Sequence, residues 1–313
     1  MHIVSVINYK GGVGKTSVTA NVAAELAFRG FKVLMIDLDA QASLTFSFMK
    51  PDVWNESFAP SRTIKTWFDS FQDGNPIKLS SLIYTPPKIE GRVSKRNGSL
   101  HLIPSHLGLI NVDLELATEL SGATLQQAKR NFLKVHRRLI DGIDDSIRSE
   151  YDVLMIDCPP NFNIVTKTAI IASDHLLIPA RPDYLSTLGI DYLIRSTNQL
   201  VSDYNDFASL DPDANQKISP RILGVVFTMI QEYRGKPMAA QRPHIRSVQQ
   251  MDDLNVLQHY VKRNDSVFAD APQYGVPVVL NRYGNQSHES VVRGLEEVTT
   301  DFSKLLKLPR YKE

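Results

Sequence analysis

Along this chain, short runs of consecutive apolar residues alternate with longer stretches of helical spacing. The apolar runs fall at residues 2–8, 32–37, 100–104, 153–157, 175–179 and 222–229. Their length and their content of Ile, Val and Leu predict strands. Helical patterns fill residues 16–29, 124–148, 185–207 and 290–306. Strands without polar alternation are covered on both faces, and helices between them act as crossovers. The fold class expected is therefore α/β, a doubly wound, mostly parallel sheet flanked by helices. In such sheets ligands sit at the carboxyl ends of the strands.

One segment interrupts the alternation. Residues 51–98 are rich in Pro, Ser, Asp and Lys, with Trp54, Phe58, Trp67, Phe68 and Phe71 among them. They read as an insertion of short helices, one over 63–71, with a mobile tip around 88–98. The aromatic side chains there read as packing groups. A second polar stretch, 211–219, reads as an ordinary loop, and no internal repeat is evident. The whole chain, 1–313, is expected to be a single domain carrying the 51–98 insertion.

The chemistry gathers where the predicted strands end. The first runs into Lys10-Gly11-Gly12-Val13-Gly14-Lys15-Thr16-Ser17 and then a helix. A glycine-rich turn between strand and helix aims backbone N–H groups at one point, and the helix dipole adds positive potential there. Lys15 has the reach for β- and γ-phosphates, and the Thr16 hydroxyl suits Mg²⁺. The general pattern G-x-x-x-x-G-K-[ST] would place its first glycine at Tyr9; what stands instead is an extra lysine, Lys10. The second predicted strand closes on Asp37-Leu38-Asp39-Ala40-Gln41, and the fourth on Asp157-Cys158-Pro159-Pro160. A carboxylate at a strand end beside a phosphate loop is placed to orient water or to serve a metal ion.

Lys10 with Gly11, Gly12, Gly14, Lys15 and Thr16 resembles the deviant Walker A box of ParA/MinD-type ATPases. The resemblance covers about residues 1–48 and 100–306 and is looser toward the C-terminus. It implies a P-loop NTPase that binds ATP and Mg²⁺, with residues Gly11 to Ser17 around the phosphates. It also implies a homodimer on ATP binding, in which Lys10 crosses to the partner's nucleotide. Asp37 to Gln41 looks like the family's switch I, which makes Asp39 the residue that positions the hydrolytic water and Asp37 a support of the metal network. Residues 154–160 resemble a Walker B strand, with Asp157 in the Mg²⁺ shell beside Thr16. Residues 177–184, 225–229 and 267–278 also resemble family segments, and the helix from Leu185 is expected near the dimer face. Family members often carry an aspartate where this chain has Gln231, which leaves the adenine contacts open.

Net charge is +1, so nucleic-acid binding would need a local patch rather than a global field. Arg234, Lys236, Arg242 and Arg246, with Lys262 and Arg263, form one candidate DNA-binding cluster. Lys129, Arg130, Lys134, Arg137 and Arg138 on one helix form another. The resemblance implies an ATP-bound dimer on nonspecific DNA and a ParB-like or other adaptor that stimulates hydrolysis. The outcome would be segregation or positioning of a plasmid, chromosome locus or other cargo. One alternative keeps the ATP switch as a protein-interaction module without DNA, positioning a complex through contacts in residues 51–97. A second is a MinD-like membrane-associated positioning ATPase. A third, a redox ATPase like the nitrogenase iron protein, needs cluster cysteines; the chain has only Cys158. The first strand begins at once, leaving no room before it for a signal peptide or a helix-turn-helix domain, and no apolar run reaches membrane-spanning length. A cytoplasmic protein, nucleoid-associated when ATP-bound, is expected, with Pro309 ending a C-terminal helix that packs on the sheet.

Overall fold

The computed structural model describes residues 1–209 and 217–309. Six strands make one parallel sheet: β1 (His2–Val6), β2 (Lys32–Asp37), β3 (Ser99–Ile103), β4 (Val153–Asp157), β5 (His175–Ala180) and β6 (Arg221–Phe227). Their spatial order is β3-β2-β4-β1-β5-β6. The apolar residues of β1 to β5 divide by parity; in β6 an irregularity in its pairing with β5 puts Leu223 and Val225 in opposite cores. Ile3, Leu34, Ile36, Leu154 and Ile156 enter one core, whereas Val4, Val33, Met35, Val153 and Met155 enter the other. A slip of one residue would exchange the two sets, so the doubly apolar pattern fixes both the register and the two layers of helix.

The first helices are α1 (Lys15–Phe28), α2 (Ser43–Phe46), α3 (Pro51–Ser57), α4 (Ile64–Asp69), α5 (Pro87–Val93), α6 (Leu109–Glu119) and α7 (Leu125–Gly142). They are followed by α8 (Asp145–Glu150), α9 (Ile164–Ala172), α10 (Tyr184–Ala208), α11 (Arg242–Gln249), α12 (Asp265–Tyr274) and α13 (Gln286–Leu305). A small antiparallel hairpin, β7 (Glu232–Tyr233) with β8 (Lys236–Pro237), follows β6. Buried side chains of α4 and α6 to α11 cover one face; those of α1, α2, α5, α12 and α13 cover the other. The α/β doubly wound architecture expected from the alternation is the one present.

The differences have local causes. The helix expected over 124–148 is two helices. Gly142 packs so close to Trp67 that a Cβ there would lie 2.4 Å from the indole. Asp144 then caps the next helix by accepting from the Ser146 and Ile147 N–H groups. The strand expected to reach 229 stops at Phe227, because Met229 turns into the left-handed region at φ 55°. The stretch expected to be a mobile tip is helical, and its Ile89 and Val93 are buried in the core beneath α1. Of the inserted aromatics, Trp67 and Phe68 join the main core, and Trp54 and Phe58 form a small core with Met49. The polar 211–219 stretch lies for the most part outside the described residues.

β4 lies between β1 and β2, with Val6 and Asp37 both in register with Asp157. The ends of three adjacent strands are thus level. The turn after β1 and the carboxylates that end β2 and β4 are brought to one place by sheet register alone.

Candidate active site

Side chains from distant segments hold the turn between β1 and α1 in shape. The Asn8 amide donates to the Pro179 carbonyl at 2.7 Å and accepts from the Lys10 N–H at 2.9 Å. The Thr228 hydroxyl donates to the Val13 carbonyl at 2.7 Å. Gly12 and Gly14 take φ values of 68° and 82°, which side-chain-bearing residues rarely adopt. Gly14 occupies the N-cap of α1 and offers no capping side chain. The first N–H groups of the helix therefore point into the turn with no side-chain cap, the arrangement that receives an anion.

The two lysines differ. Lys15 is buried, and its Nζ donates to the carbonyls of Asn8 at 3.2 Å and Lys10 at 3.3 Å. Burial pushes its ammonium below the usual lysine range, partly offset by the carboxylates Asp157 and Asp39 nearby. Lys10 is half-exposed at the rim of the turn. Its Nζ pairs with Asp183 at 2.9 and 3.1 Å and with the Ser186 hydroxyl at 3.1 Å, at the start of α10. Partial burial raises the Asp183 carboxyl, but the bonds from Lys10 and from Ser186 outweigh this and hold it below the usual carboxylate range.

The three carboxylates also have distinct surroundings. Asp157 is buried and accepts from the Thr16 hydroxyl at 2.7 Å. Asp37 is buried too, and protein donors occupy both of its oxygens: the Asp39 N–H at 3.1 Å, the Thr45 N–H at 2.8 Å and the Thr45 hydroxyl at 2.7 Å. Burial raises both carboxyls; the charge of Asp37 raises Asp157 further, and that of Asp39 raises both. Asp39 is half-exposed and its Oδ1 accepts the Gln41 N–H at 2.9 Å. Among the described residues no three His, Cys, Asp or Glu side chains converge as a metal cage. That suits Mg²⁺, which is ordinarily held by few protein oxygens together with phosphate and water. Thr16 and Asp157 supply such oxygens. Asp37 is also bonded to the loop that carries Asp39.

Cys158 is fully buried and its thiol is pushed up by burial, the surroundings of an inert core thiol. Beside the turn, a cavity of about 60 Å³ is lined by Gly14, Ser17, Thr228, Met229, Lys262, Asn264 and Phe268, among others. A planar base attached to phosphates in the turn would enter there. Gln231 lies outside this lining, which includes Asn264 and Phe268.

The basic candidates separate. Lys262 pairs with Glu232 at 2.9 Å and Arg263 with Asp265 at 2.9 Å. Arg234 lies over the ring of its neighbour Tyr233 at the tip of the β7–β8 hairpin, and Arg242 donates to the Pro237 carbonyl at 3.0 Å. Lys236 and Arg246 are exposed, and neither has a side-chain partner among the described residues. The α7 cluster is not one exposed arc. Arg138 is buried in a two-bond pair with Glu119, Arg137 binds Asp141 and the Tyr204 hydroxyl, and Lys129 lies over Phe207. Only Arg130 and Lys134 of that set are exposed.

The sequence reading missed the supports of the site: Asn8, Thr45, Ser105, Asp183 and Thr228. Asp183 alone had a local signal, an acidic N-cap ahead of a long helical pattern.

A family model, AAA_31, described as an AAA domain, matches residues 1–209. An uncharacterised protein of Methanocaldococcus jannaschii is 28% identical over 228 residues, which is 72% of this chain and 73% of that protein. The chromosome partitioning protein ParA of Caulobacter vibrioides is 26% identical over 282 residues, or 90% of this chain and 87% of its own. Other curated relatives are longer, and the chain spans about half the length of several that it matches. In fold, the chain is similar to a Cyanothece McdA variant in complex with ATP, with a TM-score of 0.71 at 18% identity, covering 100% of this chain and 99% of that one.

Proposed function

The chain belongs to the ParA/Soj/McdA-type AAA_31 ATPase family, and we propose that it is a Mg²⁺-dependent ATPase whose ATP-bound dimer binds nonspecific DNA and positions a cargo. The observation that carries this reading is the company Lys10 keeps. Next to it on α10, Tyr184, Leu185, Leu188 and Tyr192 are between 58% and 66% exposed, a large apolar face for a soluble monomer. A partner chain laid on that face would cover the apolar stripe and draw Lys10 toward a second nucleotide. Lys15 and the open N-terminus of α1 bind the phosphates in cis. Thr16 and Asp157 hold Mg²⁺, which supplies charge neutralisation on the phosphates. Asp39 aligns water for attack on the terminal phosphorus. An adaptor protein accelerates that step and releases the dimer from DNA.

The intrachain pair of Lys10 with Asp183 opposes this dimer, because the lysine must leave it to reach across. Asp183→Ala is expected to lower the protein concentration at which ATP drives dimerisation by several-fold, as read by sedimentation. Loss of the α10 cap costs about 1 kcal/mol of stability at the same time. Lys10→Ala should retain ATP binding and lose both dimer and hydrolysis. Unchanged dimerisation in Asp183→Ala alongside its loss in Lys10→Ala would show that the pair does not restrain the lysine.

DNA contact is assigned to the hairpin and α11, with Arg234, Lys236, Arg242 and Arg246, while Lys262 and Arg263 are committed to carboxylates. This region is bolted to the base cavity. The Gln241 side chain donates to the Met229 carbonyl and accepts from the Gln231 N–H, and Glu232 binds both Lys262 and Tyr260. Occupation of the base cavity is therefore felt at the root of the hairpin. Retention of DNA is expected only with ATP or a slowly hydrolysed analogue, not with ADP, and it should fade with salt. Removing Lys236 and Arg246 takes four cations from a dimer and should flatten the log–log salt slope by about 4. No DNA retention in any nucleotide state, with ATP-driven dimerisation intact, would instead favour the protein-interaction reading. That second reading uses the insertion, residues 51–97, as its contact surface, and Leu107, Ile110 and Leu114 at α6 add an exposed apolar stripe.

A further inference from the structure

The insertion has no part in the chemistry described so far, yet it is hydrogen-bonded to the loop that carries Asp39. The junction is Ser105, fully buried two residues beyond the end of β3. All three of its polar groups are used. Its hydroxyl donates to the Asp39 carbonyl at 2.7 Å, and its N–H donates to the Thr45 hydroxyl at 2.8 Å. Its carbonyl accepts the Trp54 indole N–H at 3.0 Å. Thr45 in turn donates to Asp37, which accepts the Asp39 N–H. The loop from Asp39 to Thr45 is thus pinned at both ends by one serine, and that serine is tied to α3 of the insertion by one indole.

Within the loop, the Asp39 carbonyl accepts one further bond, from the Ala42 N–H at 2.8 Å. The Asp39 side chain has only the Gln41 N–H as a hydrogen-bond partner among the described residues, so its carboxylate is aimed by its backbone. The backbone in turn is fixed by Ser105, by Asp37 and by the Ala42 N–H. Trp54 lies in the small core with Met49 and Phe58, its ring edge-on to Phe46 at the end of α2. A cavity of about 470 Å³ opens beside that core, lined by Phe46, Met49, Val53 and Tyr84 among others. A shift of the small core moves Trp54, and through Ser105 it moves the backbone of Asp39.

We infer that Ser105 and Trp54 are positioning residues for ATP hydrolysis, a relay by which the insertion sets the aim of Asp39. The inference rests on the reading of Asp39 as the residue that aligns water. Misaiming a water-positioning group by a fraction of an ångström lowers turnover without touching the phosphate contacts. Ser105→Ala should therefore lower kcat by roughly 10-fold, with KM and the Kd for ATP within about 2-fold of wild type. Trp54→Phe, which keeps a ring in the small core and removes the indole N–H, should lower kcat in the same way by a smaller factor.

A spectroscopic signal separates the relay from a general loss of packing. The chain has two tryptophans, so incorporation of 5-fluorotryptophan gives two ¹⁹F resonances, assigned with Trp54→Phe. On addition of Mg²⁺ and a slowly hydrolysed ATP analogue, the Trp54 resonance should move while that of Trp67, in the main core, stays. In Ser105→Ala the movement should vanish. If Ser105→Ala fails to fold, the Trp54→Phe kinetics and the wild-type spectrum decide. Wild-type kcat in the folded variants, or a Trp54 resonance indifferent to nucleotide, overturns the relay. Wild-type turnover in Asp39→Ala overturns the reading of Asp39, and the relay with it.

Discussion

Asp39→Ala is expected to lower ATP turnover by at least about 100-fold while leaving ATP affinity near the wild-type value, so that the protein accumulates as an ATP-bound dimer on DNA. The geometry makes this substitution unusually clean. The backbone of Asp39 is held by Asp37, Ala42 and Ser105, none of which bonds to its carboxylate. Removing the carboxylate therefore deletes the group facing the site without releasing the loop. The one side-chain bond lost, to the Gln41 N–H, is on a half-exposed surface where water replaces it. Single-turnover hydrolysis, ATP titration and sedimentation on the same preparation check the three parts. Wild-type hydrolysis would remove Asp39 from the mechanism. Loss of ATP binding would show that the residue holds the nucleotide instead.

How much of this was legible in the sequence depends on the range of the interaction. The six parallel strands were legible because burial on both faces leaves runs of consecutive apolar residues in them, with polar residues mostly at the strand ends, a property of the strand itself. The phosphate turn was legible because its glycines and Lys15 lie within a few residues of each other. What was not legible comes from partners far apart. Lys10 meets Asp183 and Thr228 meets Val13 only because the sheet order brings β5 and then β6 to one side of β1; Thr16 meeting Asp157 was expected from the resemblance of their two motifs. The bonds of Asp37 were not legible for the same reason: its strand end announces a carboxylate, but not that Thr45 and the Asp39 N–H donate to it. α9 was missed because it is apolar almost all round, buried between the sheet and α7, and so lacks the polar stripe that marks a helix. The α7 cations were misread as one solvated arc because periodicity places residues on a face without saying what covers it. Phe71 of the insertion and Glu119 of α6 cover Arg138.

Lys15→Ala separates the cost of the empty site from the energy of the filled one. In the nucleotide-free chain Lys15 is buried against carbonyl oxygens, and burial depresses its pKa. A lysine whose folded pKa lies below its unfolded value stabilises the fold only above that unfolded value, and this contribution is lost as pH falls through the folded pKa. At neutral pH its ammonium is therefore a burden on the fold, and its removal should leave the melting temperature of the nucleotide-free protein within a few degrees of wild type. With ATP present the balance reverses, because the phosphates supply the negative charge that the buried ammonium lacks. Wild type with ATP at about 100 times its Kd should gain about 2.7 kcal/mol, or roughly 4 °C for a chain of this length. Lys15→Ala should gain less than about 1 °C, consistent with an affinity loss of 100-fold or more at the same ATP concentration. A full thermal shift in the variant would mean that the N–H groups at the start of α1 bind the phosphates without the lysine. A fall in the nucleotide-free melting temperature as large as the lost shift would mean that Lys15 serves the fold more than the nucleotide.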